Sequence, residues 1–128
     1  MNSSSKIGQN TFSKEERITN KKVIDKLFSA GMRISVYPFD VRYVLEKKNL
    51  FTKVLVTASK GKIKSSVKRN LLKRRIKESY RLNKSVLHQD LKCNIAFIYS
   101  SEVYDYLKLL YLNIGKTISP ISILSHLL

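Results

Sequence analysis

The 128-residue sequence predicts one α+β domain with an antiparallel component, in the order α-β-β-α-β-α. Two patterns support this class. Apolar residues recur at helical spacing in three segments, and β-branched and aromatic residues cluster in three others. The hydrophobic content of 43% is enough for one core. We expect a disordered tail over residues 1–10, a single α/β domain over 11–115, and a C-terminal tail, 116–128, whose order the sequence leaves open.

The first helix is predicted to begin near Lys21, with Thr19 or Asn20 as its N-cap. Gly31 is predicted to end it as a C′ residue. Its apolar face consists of Val23, Ile24, Leu27 and Phe28.

Two strands are predicted next, over residues 34–45 and 51–58, with a polar hairpin loop at 46–50. Pro38 is compatible with a strand start, an edge or a bulge. From residue 39 onward the side chains alternate between two faces. One face carries Phe39, Val41, Tyr43 and Leu45, and the other carries Asp40, Arg42 and Val44.

A basic helix is predicted from Ser65 or Ser66 to about Asn83, after a lysine-rich loop. At about 100° per residue, its cations form an i, i+4 row, here called the basic row: Arg69, Lys73, Lys77 and Arg81. Asn70 and Arg74 flank this row. The side that can be buried carries Leu72, Ile76 and Tyr80, with Leu71 and Leu82 beside it. Like charges at this spacing destabilise a helix by about 0.2–0.5 kcal/mol per pair, which favours a polyanionic partner.

A linker over 84–91, a strand over 92–100 and a helix from Ser101 to Gly115 complete the predicted elements. The strands on either side of the basic helix could pair in parallel, with the helix as their crossover.

The net charge indicates the class of partner. Lys and Arg total 25 against 9 acidic residues, a formal charge of +16, which points to nucleic acid or an anionic membrane surface. The basic helix lacks the heptads of a bZIP region and the neighbouring helices of a helix-turn-helix. A membrane-surface helix would favour Trp or Phe on its apolar side and a terminal position, so this alternative is weaker.

The sequence suggests no chemistry carried by protein side chains. No acid pair or nucleophile with a base stands out. Cys93 is the one cysteine and is expected in the core, while His88 and His126 lack partners at metal-ligand spacing. Without a signal peptide or a long apolar span, we expect a soluble cytoplasmic protein. Phe39 and Tyr43 could stack on unpaired bases, with core packing as the alternative.

The basic helix resembles the signature of the bacterial ribonuclease P protein component. That pattern is roughly Arg-Asn-Arg-x-Lys-Arg-x-x-Arg-Glu, with an aromatic residue two positions later. Lys77 replaces an arginine of the pattern conservatively, and Leu71 replaces its second arginine. Ser59-Lys60 before the helix, Phe12 to Arg17 and Leu27 to Gly31 extend the resemblance over about residues 10–115. The matching positions are Arg69, Asn70, Lys73, Arg74, Glu78 and Tyr80.

The resemblance implies a fold and a function. The fold would be a small α/β sandwich (ribosomal protein S5 domain 2-like), with a mainly antiparallel central sheet. A left-handed βαβ crossover through the basic helix would be an exception to the right-handed rule. The protein would be a subunit of the ribonucleoprotein that removes the 5′ leader of precursor tRNA. An RNA subunit and Mg²⁺ would carry out the reaction, and no membrane or further protein partner would be needed.

The resemblance also implies two sets of site residues, and no catalytic or metal-binding side chain. Residues expected to contact the RNA subunit are Lys60, Lys68, Arg69, Asn70, Lys73, Arg74, Lys77 and Arg81. Residues expected in a cleft for the leader, between the first helix and the sheet, are Phe28, Phe39, Arg42 and Tyr43. A ribosomal or RNA-chaperone protein is the alternative, which explains the charge but not the ordered motif.

Overall fold

The computed structural model describes residues 12–36, 39–84 and 92–101. A 3₁₀ turn at Lys14–Glu16 precedes two helices and four strands. These are α1 (Lys21–Ala30), β1 (Met32–Val36), β2 (Phe39–Leu45), β3 (Lys53–Ala58), α2 (Ser66–Asn83) and β4 (Cys93–Tyr99). The predictions for the tails at 1–10 and 116–128, Pro38, the linker after residue 84, the helix after Ser101, His88 and His126 lie outside the described residues.

The four strands form one mixed sheet in the order β1-β2-β4-β3. β2 pairs antiparallel with both β1 and β4, whereas β3 and β4 pair in parallel across the α2 connection. The predicted α+β class and the crossover through the basic helix are therefore confirmed. The left-handed sense of that crossover stays a prediction.

Two details of the predicted strands are wrong. The segment 34–45 is not one strand: β1 ends at Val36, β2 begins at Phe39, and these two residues are opposite each other in an antiparallel pair. The β-rich run therefore forms two antiparallel neighbours rather than one long strand. The second error concerns residues 46–50, which do not join neighbouring strands. β4, buried along nearly its whole length, lies between β2 and β3.

The main core lies between one face of the sheet and α2. The predicted alternation along β2 is confirmed, because Phe39, Val41 and Tyr43 are buried while the residues between them are half-buried. α2 contributes Leu72, Ile76 and Tyr80, as its helical period predicts. β3 and β4 fill the rest of this core with Val54, Val56, Ala58, Cys93, Ile95, Phe97 and Tyr99.

A smaller core lies on the opposite face, beneath α1. Leu27 is fully buried there against Ile18 and Ala96. Asn20 caps α1 by accepting hydrogen bonds from the backbone N–H groups of Lys22 (2.8 Å) and Val23 (3.4 Å), which selects one of the two predicted caps.

Gly31 ends α1, but not as the left-handed C′ residue expected. Its φ of −71° and ψ of 148° are extended, and its N–H donates to the carbonyl of Leu27. A Cβ at this position would lie 2.3 Å from that carbonyl oxygen. The close approach of the chain to the helix end therefore requires glycine.

Residues 12–18, here called the edge segment, run along the outer side of β3. Arg17 forms a parallel bridge with Val54, and the Ile18 N–H donates to the Val54 carbonyl at 3.0 Å. At one end the Phe12 ring meets Tyr80 of α2 edge-on at 5.5 Å, while Ile18 belongs to the core beneath α1. The segment thus links both cores and pairs with part of an edge strand that would otherwise be open.

Candidate nucleic-acid interface

The basic helix begins on a loop that is well fixed. Ser65 caps α2 by accepting from the Lys68 N–H at 3.3 Å, and the loop before it is anchored by buried Ile63, whose N–H donates to the Ser59 carbonyl at 2.9 Å. Lys60 is exposed on this loop. The structure therefore places the predicted RNA-contact residues on one rigid helix and on the loop that leads into it.

The basic row lies on the flank of α2, between its buried side and the solvent. All four of its residues are half-buried. Long cationic side chains in such positions can cover apolar surface with their stems and keep their charged ends accessible. Lys68, Asn70 and Arg74 lie further out or beside the row and are accessible as well. All the predicted contact residues of α2 can thus meet a ligand.

Two arginines of the basic row are engaged within the protein. The Arg69 guanidinium donates to the carbonyls of Ile63 and Lys64, both at 2.8 Å, and so holds the loop against the helix. Arg81 donates from Nε to Glu78 Oε2 at 3.1 Å. That hydrogen bond lowers the pKa of the Glu78 carboxyl below its usual range.

The two lysines of the basic row have a different environment. Burial lowers the pKa of Lys77, and the positive charges of Arg17 and Lys73 lower it further. Over residues 12–36, 39–84 and 92–101, no salt bridge involves any of these three cations. Arg17 was not predicted at this surface, because its bridge to the distant Val54 of β3 positions it beside α2.

The outward side of α2 is more apolar than predicted. Val67 is 76% exposed, and Leu82, expected beside the buried row, is 54% exposed. Leu82 lies about 120° around the helix from Ile76, which turns it away from the sheet. Leu71, at the position where the family pattern has arginine, is half-buried on this side.

Phe28 and Arg42, two of the four predicted cleft residues, come together beside the C-terminal end of α1. The Arg42 guanidinium donates to the Phe28 carbonyl at 3.1 Å and lies 5.7 Å from the centre of the Phe28 ring. Its Nε lies 3.6 Å from Asp40 Oδ1 in a salt bridge, and the same oxygen accepts a hydrogen bond from Arg33 Nε at 3.0 Å. Phe28 keeps 42% of its surface exposed, so a ring supported by a cation is accessible to a ligand.

Phe39 and Tyr43, the other two, lie on the opposite face of the sheet. Each is only 4% exposed in the main core, where the Phe39 ring contacts Phe97 at 6.2 Å and Tyr99 at 6.0 Å. Placing them in a cleft with Phe28 and Arg42 is therefore wrong, and core packing, the alternative considered for them, is correct. The sequence already indicated this separation. Successive side chains of a strand point to opposite faces, so residues 39 and 43 lie on the face opposite residue 42.

Cys93, the remaining reactive side chain considered from the sequence, belongs to the main core. Cys93 is fully buried, as predicted, and burial raises the pKa of its thiol to about 12. Within the described ranges, no group of three or more His, Cys, Asp or Glu side chains could hold a metal ion. In the same ranges, no helix is both long and apolar enough to span a bilayer.

Comparisons with a family model and with curated relatives identify the same family. A family model described as Ribonuclease P matches residues 12–111. Proteins named ribonuclease P protein component from two strains of Porphyromonas gingivalis, ATCC 33277 and W83, are each 36% identical over 102 residues. Each alignment covers 73% of this chain and 74% of the relative.

Solved structures show the same fold. The RNase P protein of Staphylococcus aureus superposes with a TM-score of 0.65 at 18% identity, covering 84% of this chain and 97% of that one. The RNase P protein of Thermotoga maritima gives a TM-score of 0.66 at 17% identity, covering 82% and 96%.

Proposed function

The chain belongs to the ribonuclease P protein component family, and we propose that this protein subunit binds its RNA partner through α2 and the loop before it. In this proposal the RNA subunit, with Mg²⁺ bound mainly to RNA, removes the 5′ leader of precursor tRNA in the cytoplasm. The protein holds the two RNAs together and offsets the repulsion between their phosphates. No step of the proposal uses a metal ion held by protein side chains.

One observation supports the proposal most strongly: the core fixes the position of α2, the helix that carries the cations. Leu72, Ile76 and Tyr80 anchor the helix to the sheet, so the basic row and Arg74 stand on a rigid element. Cations spaced i, i+4 along a helix can follow a phosphate backbone, and arginine adds two-point contacts that lysine cannot make. Asn70 adds an amide that can bond a sugar, a phosphate or a base edge.

Binding of the RNA subunit tests this surface. Arg74→Gln and Lys60→Gln each remove one exposed charge, and we expect each to weaken affinity for ribonuclease P RNA about tenfold. Each should also make the log–log salt dependence shallower by about 0.7–0.9. Lys48→Gln, which alters an exposed lysine in the loop after β2, is the matched control and should bind like the unaltered protein. If all three variants bind alike, α2 is not the RNA surface.

We further propose that Phe28 and Arg42 contact the single-stranded leader. The exposed Phe28 ring can stack on a base, and Arg42 supports it from behind. Truncating a stacking aromatic costs about 1–3 kcal/mol per base. Phe28→Ala should therefore weaken the binding of precursor tRNA to the holoenzyme by a factor of roughly 5 to 150.

Leaderless tRNA is the control for this contact. Its affinity should not change with Phe28→Ala, because the stacked base is absent. An equal loss with and without the leader would show that Phe28 does not bind the leader.

A further inference from the structure

We propose that Arg17, Lys73 and Lys77, here called the cation triad, form one binding site for a backbone phosphate of the RNA subunit. This inference rests on the proposed function and adds a residue from the edge segment to the surface of α2. It makes the RNA surface a composite of two chain segments rather than one helix.

Arg17 is held in place by its surroundings. Its backbone is bridged to Val54 of β3, and its guanidinium lies 5.3 Å from the centre of the Phe12 ring. Phe12 in turn packs against Tyr80, on the buried side of α2. These contacts place the Arg17 guanidinium beside the part of α2 that carries Tyr80 and, about one turn earlier, Lys77. The positive charge of Arg17 accordingly contributes to the lowered pKa of Lys77.

Two of the three acids in the edge segment and α2, Glu16 and Glu78, are paired with other cations. The Glu16 carboxylate lies 2.5 Å from Lys84 Nζ, with both side chains buried, and also accepts from the Ser13 N–H at 2.7 Å. Glu78 is paired with Arg81. The edge segment and α2 therefore bring three positive charges together and pair two of their three acids with other cations, while the third, Glu15, is exposed to solvent.

A bound anion would offset the electrostatic repulsion among the three cations. Like charges that converge repel one another in the free protein, and this repulsion contributes to the lowered pKa of Lys77. A phosphate group offers several acceptor oxygens to a planar guanidinium and two ammonium groups at once. The triad is thus preorganised for a phosphate, since the fold and not the ligand assembles it.

A double-mutant cycle on Arg17 and Lys77 tests whether the two residues share one phosphate. We expect Arg17→Gln and Lys77→Gln each to weaken affinity for ribonuclease P RNA about tenfold. The double variant should lose clearly less than the product of the two losses, because both act on one ligand group. Arg17→Lys, which keeps the charge, should lose less than Arg17→Gln, and the Lys48→Gln control should lose nothing. Thermal melting by circular dichroism confirms that each variant is folded.

These binding measurements distinguish a failure of the cation triad from a failure of the proposed function. If folded Arg17→Gln binds the RNA as tightly as the control, or if the two losses simply multiply, the triad is overturned while the protein still binds its RNA. If precursor tRNA affinity changes and RNA-subunit affinity does not, the phosphate belongs to the substrate and the proposed source is wrong. If the unaltered protein shows no preference for ribonuclease P RNA over an unrelated RNA, the proposed function fails.

A readout without RNA tests the site itself. Inorganic phosphate should raise the pKa of Lys77, followed by NMR of a labelled lysine side chain, and should do so less in Arg17→Gln. An equal response in both proteins would overturn the triad, whatever the RNA data show.

Discussion

At the residue scale, the structure distinguishes arginines that the motif treats alike. Arg69 and Arg74 are both matches to the family pattern, and from the sequence both are expected to serve RNA binding alone. In the structure Arg69 also hydrogen-bonds two loop carbonyls, whereas Arg74 is exposed. Sequence could not predict this difference, because it depends on where the loop at 59–65 lies against the helix.

We therefore expect Arg69→Ala to lower the free energy of unfolding by about 1 kcal/mol. Two charge-assisted hydrogen bonds are lost, but water replaces part of their value at a half-buried site. Arg74→Ala is the matched control and should stay within about 0.5 kcal/mol of the unaltered protein. Urea unfolding measures both, and equal stability of the two variants would contradict a role for Arg69 in the loop.

Cys93 gives a second prediction at this scale. Its thiol is fully buried and its pKa is raised to about 12, so almost no reactive thiolate exists near neutral pH. Iodoacetamide at mildly alkaline pH should leave the folded protein unmodified and alkylate it in concentrated urea, as mass spectrometry would show. Rapid alkylation without urea would mean that this part of the sheet opens readily.

At the scale of elements, strong local patterns were predictive and non-local pairing was not. α2 was predicted nearly to the residue, because its apolar period and Ser65 cap are local signals. The division between β1 and β2 and the central place of β4 depend on which strands pair, which the sequence does not state. The edge segment was missed for the same reason, since its partners Val54 and Tyr80 are remote in the chain.

The buried ion pair between Glu16 and Lys84 tests the importance of the edge segment. We expect Glu16→Gln to lower the free energy of unfolding by about 3–5 kcal/mol, because it leaves the Lys84 ammonium buried without its counter-charge. Replacing both residues with leucine should cost much less than the two single changes together. Denaturant unfolding of Glu16→Gln, Glu16→Leu, Lys84→Leu and the double-leucine variant is the measurement. A loss below about 1 kcal/mol for Glu16→Gln would show that the pair is open to water in solution.

At the scale of the whole molecule, the net charge and the family both indicate a polyanionic partner. The net charge of +16 indicates a polyanionic partner, and the order of residues in the basic helix resembles one family. The family model and the relatives show that the chain belongs to that family, and solved structures share its fold. What the sequence could not supply was the arrangement of the surface: Arg17 beside α2, and Phe28 and Arg42 on the face opposite Phe39 and Tyr43.

The rate of precursor tRNA cleavage shows directly whether the protein assists its RNA partner in removing the 5′ leader. The protein is mixed with its cognate ribonuclease P RNA and a precursor tRNA at low Mg²⁺, where repulsion between the RNAs limits their association. We expect removal of the 5′ leader to be much faster than with the RNA alone, and the gain to decline as the salt concentration rises. A rate no greater than that of the RNA alone would contradict this expectation.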